Sequence, residues 1–246
     1  MGRAALQLRM ECKRVGDSPE AQWTRERLLR DADALTHFLS GALPSELPVS
    51  DRVLDRARQT LTPGEPGSEQ MATLLNERMA QAREAAVLAP LYALDGAPWL
   101  IFTVRSLDLA SHRGEISFPG GSREPTDATL WETALRESRE EIGLDTSATE
   151  SLGPLPPVFS AVSNFLIQPY VGWLGEGAPS LTPNPAEVSE VIHAPLAALA
   201  DPAIYHTEVW SRGGIEHLVH FYDFGAYRIW GATGRMLNTL LALLPA

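Results

Sequence analysis

The sequence predicts an α+β fold, and three observations carry that prediction. Apolar residues recur at helical spacing through residues 21–39, including Trp23, Leu28, Leu29, Ala32, Leu35 and Phe38. From Ala86 the period changes to that of strands. A capped helical pattern then returns at residues 129–143, and another ends the chain at residues 233–244.

In chain order, the first helix is stopped by the turn-rich stretch 44–48, and a second helical candidate spans residues 59–84, broken by Pro63-Gly64-Glu65-Pro66-Gly67. Residues 1–80 therefore read as a helical N-terminal extension that could dock, support a homodimer or stay loose, and residues 81–246 as the main domain. Strands at 87–94 and 99–104 flank Asp95-Gly96-Ala97-Pro98, a hairpin signal. Thr129 and Glu132 have capping-box spacing, and Gly143 followed by Leu144 suits a helix exit. Trp131, Ala134, Leu135, Ser138 and Ile142 share one stripe of that helix, which predicts the packed side. Further strands are expected at 158–159, 166–173, 204–210 and 217–223.

At 246 residues, 44% hydrophobic and 21% charged, the chain can bury a sizeable core. A net charge of −11 argues against nucleic acid or an anionic membrane surface as the main partner. The lone cysteine, Cys12, removes intrachain disulfides and cysteine-rich zinc sites. No apolar run reaches the roughly 18 residues needed to span a bilayer, and no signal-peptide core is evident, so the cytoplasm is the default expectation.

The most informative stretch is Arg136-Glu137-Ser138-Arg139-Glu140-Glu141-Ile142-Gly143-Leu144. Glu137, Glu140 and Glu141 fall within about a third of the helix circumference. Like charges at this spacing cost roughly 0.2–0.5 kcal/mol in an isolated helix, so a positive partner is expected. Read alone, the run is an ordinary solvated face. Its context argues otherwise, because Phe118-Pro119-Gly120-Gly121 places a glycine turn just upstream, and the layout brings backbone N–H groups and clustered carboxylates to one anionic ligand. Hard oxygen donors packed this closely suit Mg²⁺ or Mn²⁺.

These residues resemble the Nudix hydrolases, whose box reads G-x5-E-x7-R-E-U-x-E-E-x-G-U. Gly121 opens it, Asp127 stands where the family usually has Glu, and Arg136 comes one residue later than the standard spacing. Both departures resemble the coenzyme A pyrophosphatase branch, as do Ile101-Phe102-Thr103-Val104-Arg105-Ser106, Gly114 and Phe118-Pro119-Gly120-Gly121, although Ala110 sits where that branch has Arg. The segments 184–196 and 227–233 resemble the same branch, so the likeness runs from about Val87 to Leu244.

The resemblance implies an α/β/α sandwich with a mixed sheet and a metal-dependent pyrophosphohydrolase. Glu137, Glu140 and Glu141 would hold Mg²⁺ or Mn²⁺, and Arg136 would orient these carboxylates. Glu187, with Glu190 second, is the candidate base or extra ligand. Arg105 and Ser106 are expected at the substrate, and Gly120 and Gly121 would let backbone approach it closely. The implied substrate is a small nucleotide diphosphate, coenzyme A or its thioesters, cleaved to 3′,5′-ADP and 4′-phosphopantetheine or its acyl form. Rival readings are hydrolysis of ADP-ribose, NADH or a dinucleotide, and a non-catalytic nucleotide sensor. The three box glutamates weigh against the sensor, since a pure binding module has no need of a repulsive acidic cage. His112 is expected as a structural donor, and Trp230 in the core.

Overall fold

The structure, a computed structural model, describes residues 24–43, 78, 80–107, 114–212 and 215–245. Its centre is β1 (Arg83–Leu94), whose residues from Ala85 to Ala93 are all buried. That near-continuous apolar run suits a strand covered on both faces. It pairs in parallel with β7 (Phe165–Glu176) along one edge and antiparallel with β2 (Ala97–Arg105) along the other. Asp95 and Gly96, at φ 52° and 78°, make the β1–β2 connection, and Leu94 already pairs with Ala97. The hairpin is therefore two residues tighter than the sequence suggests, because both central residues accept the positive φ of a type I′ turn.

β1 and β2 stay paired only as far as Leu91 and Leu100 and then splay. The gap is filled by β3 (Ile116–Ser117), which pairs with Thr103 and Val104 of β2, and by β4 (Gly120–Ser122), which pairs with Ala85–Val87 of β1. β8 (Val188–Pro195) lies on the far edge of β2, while β5 (Glu150–Pro154) and β6 (Val158–Ser160) lie on the far edge of β7, completing a mixed eight-stranded sheet. β9 (Tyr205–Arg212), β10 (Ile215–Phe224) and β11 (Tyr227–Ile229) form a second, antiparallel sheet.

Alternation along β1 builds two cores. Val87, Ala89 and Leu91 face α1 (Arg25–Leu28), α2 (Ala32–Ala42) and α5 (Gly231–Leu241), meeting Leu28, Leu35, Leu39, Leu237 and Leu240. Ala86, Leu88 and Tyr92 face α3 (Leu130–Ile142), meeting Ala134 and Ile142. Each fully buried leucine contributes about 1.5–3 kcal/mol relative to exposure. The result is the expected α+β, α/β/α sandwich, with α4 (Leu196–Leu199) and a 3₁₀ turn (Pro202–Ile204) linking β8 to β9.

Of the three fates left open for the N-terminal region, its described part, residues 24–43, docks on the sheet and shares the main core. Several boundaries shift. Arg83 and Glu84, placed in the second helical candidate, belong to β1, because Arg83 and Glu84 are already in register with Phe165 and Leu166. Of the rest of that candidate, positions 78 and 80 are helical and residues 81–82 lead into β1, while residues 59–77 and 79 lie outside the described residues. The last helix runs two residues earlier than expected at its start and ends at Leu241. Ile204 lies in the 3₁₀ turn, where the Asp201 carboxylate accepts the Ala203 N–H at 2.8 Å.

Candidate active site

The site is built where α3 crosses the fork between β1 and β2. Thr129 caps the helix by accepting the Glu132 N–H at 3.2 Å, and Glu132 reaches back to the Ala128 N–H at 2.7 Å, one residue beyond the usual capping-box partner. At the other end Gly143 takes a left-handed conformation at φ 63°, and the Leu144 N–H returns to the Ser138 carbonyl at 3.3 Å. Thr182 and Asn184 donate backbone N–H groups to the carbonyls of Ile142 and Glu141, each at 2.8 Å, so the loop before β8 closes the helix C-terminus.

The packed side of α3 is broader than its apolar stripe. Ala134, Ser138 and Ile142 are buried as expected, but so are Thr133 and Glu141, while Trp131 and Leu135 are only partly covered. Thr133 is met by Asp127 and Glu141 by the Gly120 turn, while the loop before β8 closes the helix end, and none of these contacts is visible in the helix's own periodicity.

The carboxylates lie at three depths. Glu140 is exposed, Glu137 is 15% exposed at its side chain and Glu141 only 4%. Glu141 accepts the Gly120 N–H at 3.1 Å, and its other oxygen is 3.6 Å from Arg105 Nη1. Burial pushes its carboxyl up to about 7; the Gly120 N–H and Arg105 pull it down, and nearby Glu137 and Glu187 add to the rise. Glu137 is also raised, chiefly by burial, with Arg136 opposing and Glu140 and Glu187 reinforcing. Glu187 is thus brought from the loop before β8 into the field of both helix carboxylates. Glu190 is drawn instead to the Tyr227 hydroxyl on β11.

Arg136 makes the positive centre. Its Nε and Nη2 engage the two Asp127 oxygens at 3.0 Å each, Nη2 also meets the Ser122 carbonyl at 2.9 Å, and Nη1 reaches Glu137 at 3.0 Å and Glu140 at 2.9 Å. Every arm of the guanidinium is held by the protein. Asp127 is buried and also accepts the Glu124 N–H at 2.9 Å and the Thr133 hydroxyl at 3.0 Å. Gly121 touches Glu137 so closely that an added Cβ would lie 2.5 Å from its Oε1.

Other expected residues divide. Arg105 enters the cluster, and its Nε is buried without a hydrogen-bond partner. Ser106, expected at the substrate, lies below the surface at 4% exposure, and its N–H is taken by the Glu187 carbonyl at 2.8 Å. Arg123 pairs with Glu84 at 2.8 Å and donates to the Asp127 carbonyl at 3.3 Å, so it shares Asp127 with Arg136, while Arg139 meets Thr146 at 3.3 Å. A surface hollow of about 520 Å³ opens on the Asp127 side, lined in part by Glu84, Ser122 and Arg123, away from Glu141. Trp230 is half-buried against Trp210 and Phe221. His206, His217 and His220 lie on β9 and β10. Ala110, His112, Arg113 and Cys12 fall outside the described residues. Sequence reasoning missed Thr133, which braces Asp127, and Asn184, whose amide donates to Glu187 at 3.2 Å.

Among the described residues, no three His, Cys, Asp or Glu side chains stand close enough together to hold a metal ion as they are placed here. The donor set nevertheless fits a hard divalent cation. Glu137, Glu141 and Glu187 repel one another, and burial, the main cause of the rise at Glu137 and Glu141, adds to the demand for a bound positive charge beside hard oxygen donors. Among the described residues, no helix is long and apolar enough to cross a membrane.

A NUDIX domain model matches residues 82–211. An uncharacterized Nudix hydrolase NudL from Photorhabdus laumondii is 39% identical over 64% of this chain and 83% of its own length. The human mitochondrial coenzyme A diphosphatase NUDT8 is 38% identical over 67% of this chain and 71% of its own. A solved Nudix hydrolase from M. smegmatis, RenU, aligns with 48% of this chain and 74% of its own at 18% identity and a TM-score of 0.41. With its box helix, its glycine loop and more than half its length matched, the chain belongs to the Nudix hydrolases.

Proposed function

We propose that the protein hydrolyses the diphosphate bridge of coenzyme A or its thioesters to 3′,5′-ADP and 4′-phosphopantetheine or its acyl form. The observation that carries this reading is the convergence of Glu137, Glu141, Glu187 and Arg105 beside the Gly120-Gly121 turn. Similarity to a coenzyme A diphosphatase and the branch-like segment from Ile101 to Gly121 support the substrate.

Glu137, Glu140 and Glu141 would hold Mg²⁺ or Mn²⁺. A divalent ion held there would supply charge neutralisation of the diphosphate and would lower the pKa of water toward neutral pH. Glu187, brought beside Glu137 and Glu141, would take a proton from the attacking water. Arg105, whose partly exposed guanidinium lies with Nη1 3.6 Å from Glu141, would turn its accessible edge to a phosphate oxygen. Arg136, engaged on all sides by the protein, sets the orientation of Glu137 and Glu140. Gly120 and Gly121 keep the turn free of side chains, so backbone and substrate can approach closely.

The test is product analysis with Mg²⁺ or Mn²⁺ on coenzyme A, ADP-ribose, NADH and diadenosine polyphosphates. Preferential release of 3′,5′-ADP from coenzyme A is expected. Faster turnover of any other substrate on that panel overturns the substrate assignment and leaves the hydrolase intact.

A further inference from the structure

Asn184 stands at the junction of the two parts of the site that the chain brings together from far apart. Its backbone N–H donates to the carbonyl of Glu141 at 2.8 Å, fastening the loop to the end of α3. Its own carbonyl accepts the N–H groups of Glu187 at 3.0 Å and Val188 at 2.8 Å. Its side-chain oxygen accepts the Ala186 N–H at 3.2 Å, an Asx turn that folds the intervening residues. The amide nitrogen that remains points at Glu187 Oε1, 3.2 Å away. Every hydrogen-bonding group of this one residue is therefore committed either to Glu141's backbone or to the turn and carboxylate of Glu187.

We infer that Asn184 is a positioning residue that sets Glu187 against Glu141 by holding its main chain and one carboxylate oxygen, leaving the other oxygen to face the reacting water. The inference rests on the reading of Glu187 as the base. A further tie supports it: the Glu187 carbonyl accepts the Ser106 N–H at 2.8 Å, so the strand end carrying Arg105 and the helix carrying Glu141 meet through residues 184–187. A loop carboxylate without such anchors would sample many rotamers, and misplacement by about 1 Å is costly in catalysis.

The amide is the part of Asn184 that a purely structural role does not need. Asn184→Asp keeps the Asx-turn acceptor and all backbone bonds but turns the donor toward Glu187 into a second carboxylate oxygen. Asn184→Ala removes both side-chain bonds. Steady-state kinetics on the fastest panel substrate, pH profiles and thermal melting would be measured for both variants, for Glu187→Gln and for Asn184→Ala combined with Glu187→Gln. The expected result is a fall in kcat of about 10- to 100-fold in both single Asn184 variants, with KM unchanged and the wild-type melting transition kept in Asn184→Asp. On the Glu187→Gln background the Asn184 change should cost nothing further, because the two act as one unit. If Asn184→Ala does not fold, Asn184→Asp decides alone. Wild-type kcat in Asn184→Asp, with Glu187→Gln impaired, overturns the inference. Wild-type activity and pH profile in Glu187→Gln overturn the base assignment and the inference with it.

Discussion

Arg136 lies side-on against Asp127, with Nε and Nη2 each 3.0 Å from a carboxylate oxygen, while its third nitrogen holds Glu137 and Glu140. The box departs from the family pattern at both ends of this pair, with Asp in place of Glu and an extra residue before Arg. With both departures present the pair closes, and the acidic cluster has its orienting cation.

The Arg136 guanidinium holds the Asp127 carboxyl well below the usual carboxylate range. A depressed carboxylate contributes stability that is fully present above the ordinary value of about 3.9 and is lost as pH falls further through the folded value. Thermal melting between pH 6 and pH 2 should therefore show a decline at the acid end that Asp127→Asn flattens. At pH 7 the same substitution should cost about 3 kcal/mol, since it leaves a buried cation short of its partner.

Glu141 behaves oppositely. Its carboxyl is raised to about 7, so its contribution is full below the ordinary value of about 4.3 and is lost as pH rises through 7. In chelator, melting temperature should fall between pH 5 and pH 8, and Glu141→Gln should remove most of that slope. Mn²⁺ at 100 times its dissociation constant should restore about 2.7 kcal/mol to the wild type. Turnover of Glu141→Gln should drop roughly 100- to 1,000-fold, as expected for several kcal/mol of lost charge stabilisation. Near-normal turnover at saturating Mg²⁺ would sink the ligand assignment.

The two glycines should part company under substitution. In Gly120→Ala the new Cβ would lie 2.3 Å from the Ala86 carbonyl oxygen, a backbone atom that cannot step aside. In Gly121→Ala it would lie 2.5 Å from Glu137 Oε1, the far end of a side chain. Gly120→Ala should lose about 1–3 kcal/mol of stability. Gly121→Ala should melt closer to wild type yet lose activity, because it moves a carboxylate of the cluster. Chemical denaturation beside steady-state kinetics separates the two outcomes.

Leu35 on α2 is fully buried among β-sheet and α5 side chains. Leu35→Ala should therefore destabilise the whole protein by about 2–5 kcal/mol in one cooperative transition. A separate early transition, with the main melt unchanged, would show that the N-terminal helices fold apart from the sheet.

The amino-acid sequence by itself determined what depends on neighbours along the chain. Caps at Thr129 and Gly143, a hairpin turn within residues 95–98, and the shared flank of Glu137, Glu140 and Glu141 all follow from local spacing and backbone preference. Tertiary structure decided which of those carboxylates is buried and what it meets. The splay of β1 from β2 admits the Gly120-Gly121 turn, the loop at residues 181–187 closes α3, and together they turn one charged flank into an exposed Glu140, a sheltered Glu137 and an enclosed Glu141. Helical periodicity cannot foresee this, because burial of a polar side chain is set by whichever distant segment packs over it, and those contacts join residues 21 to 46 positions apart.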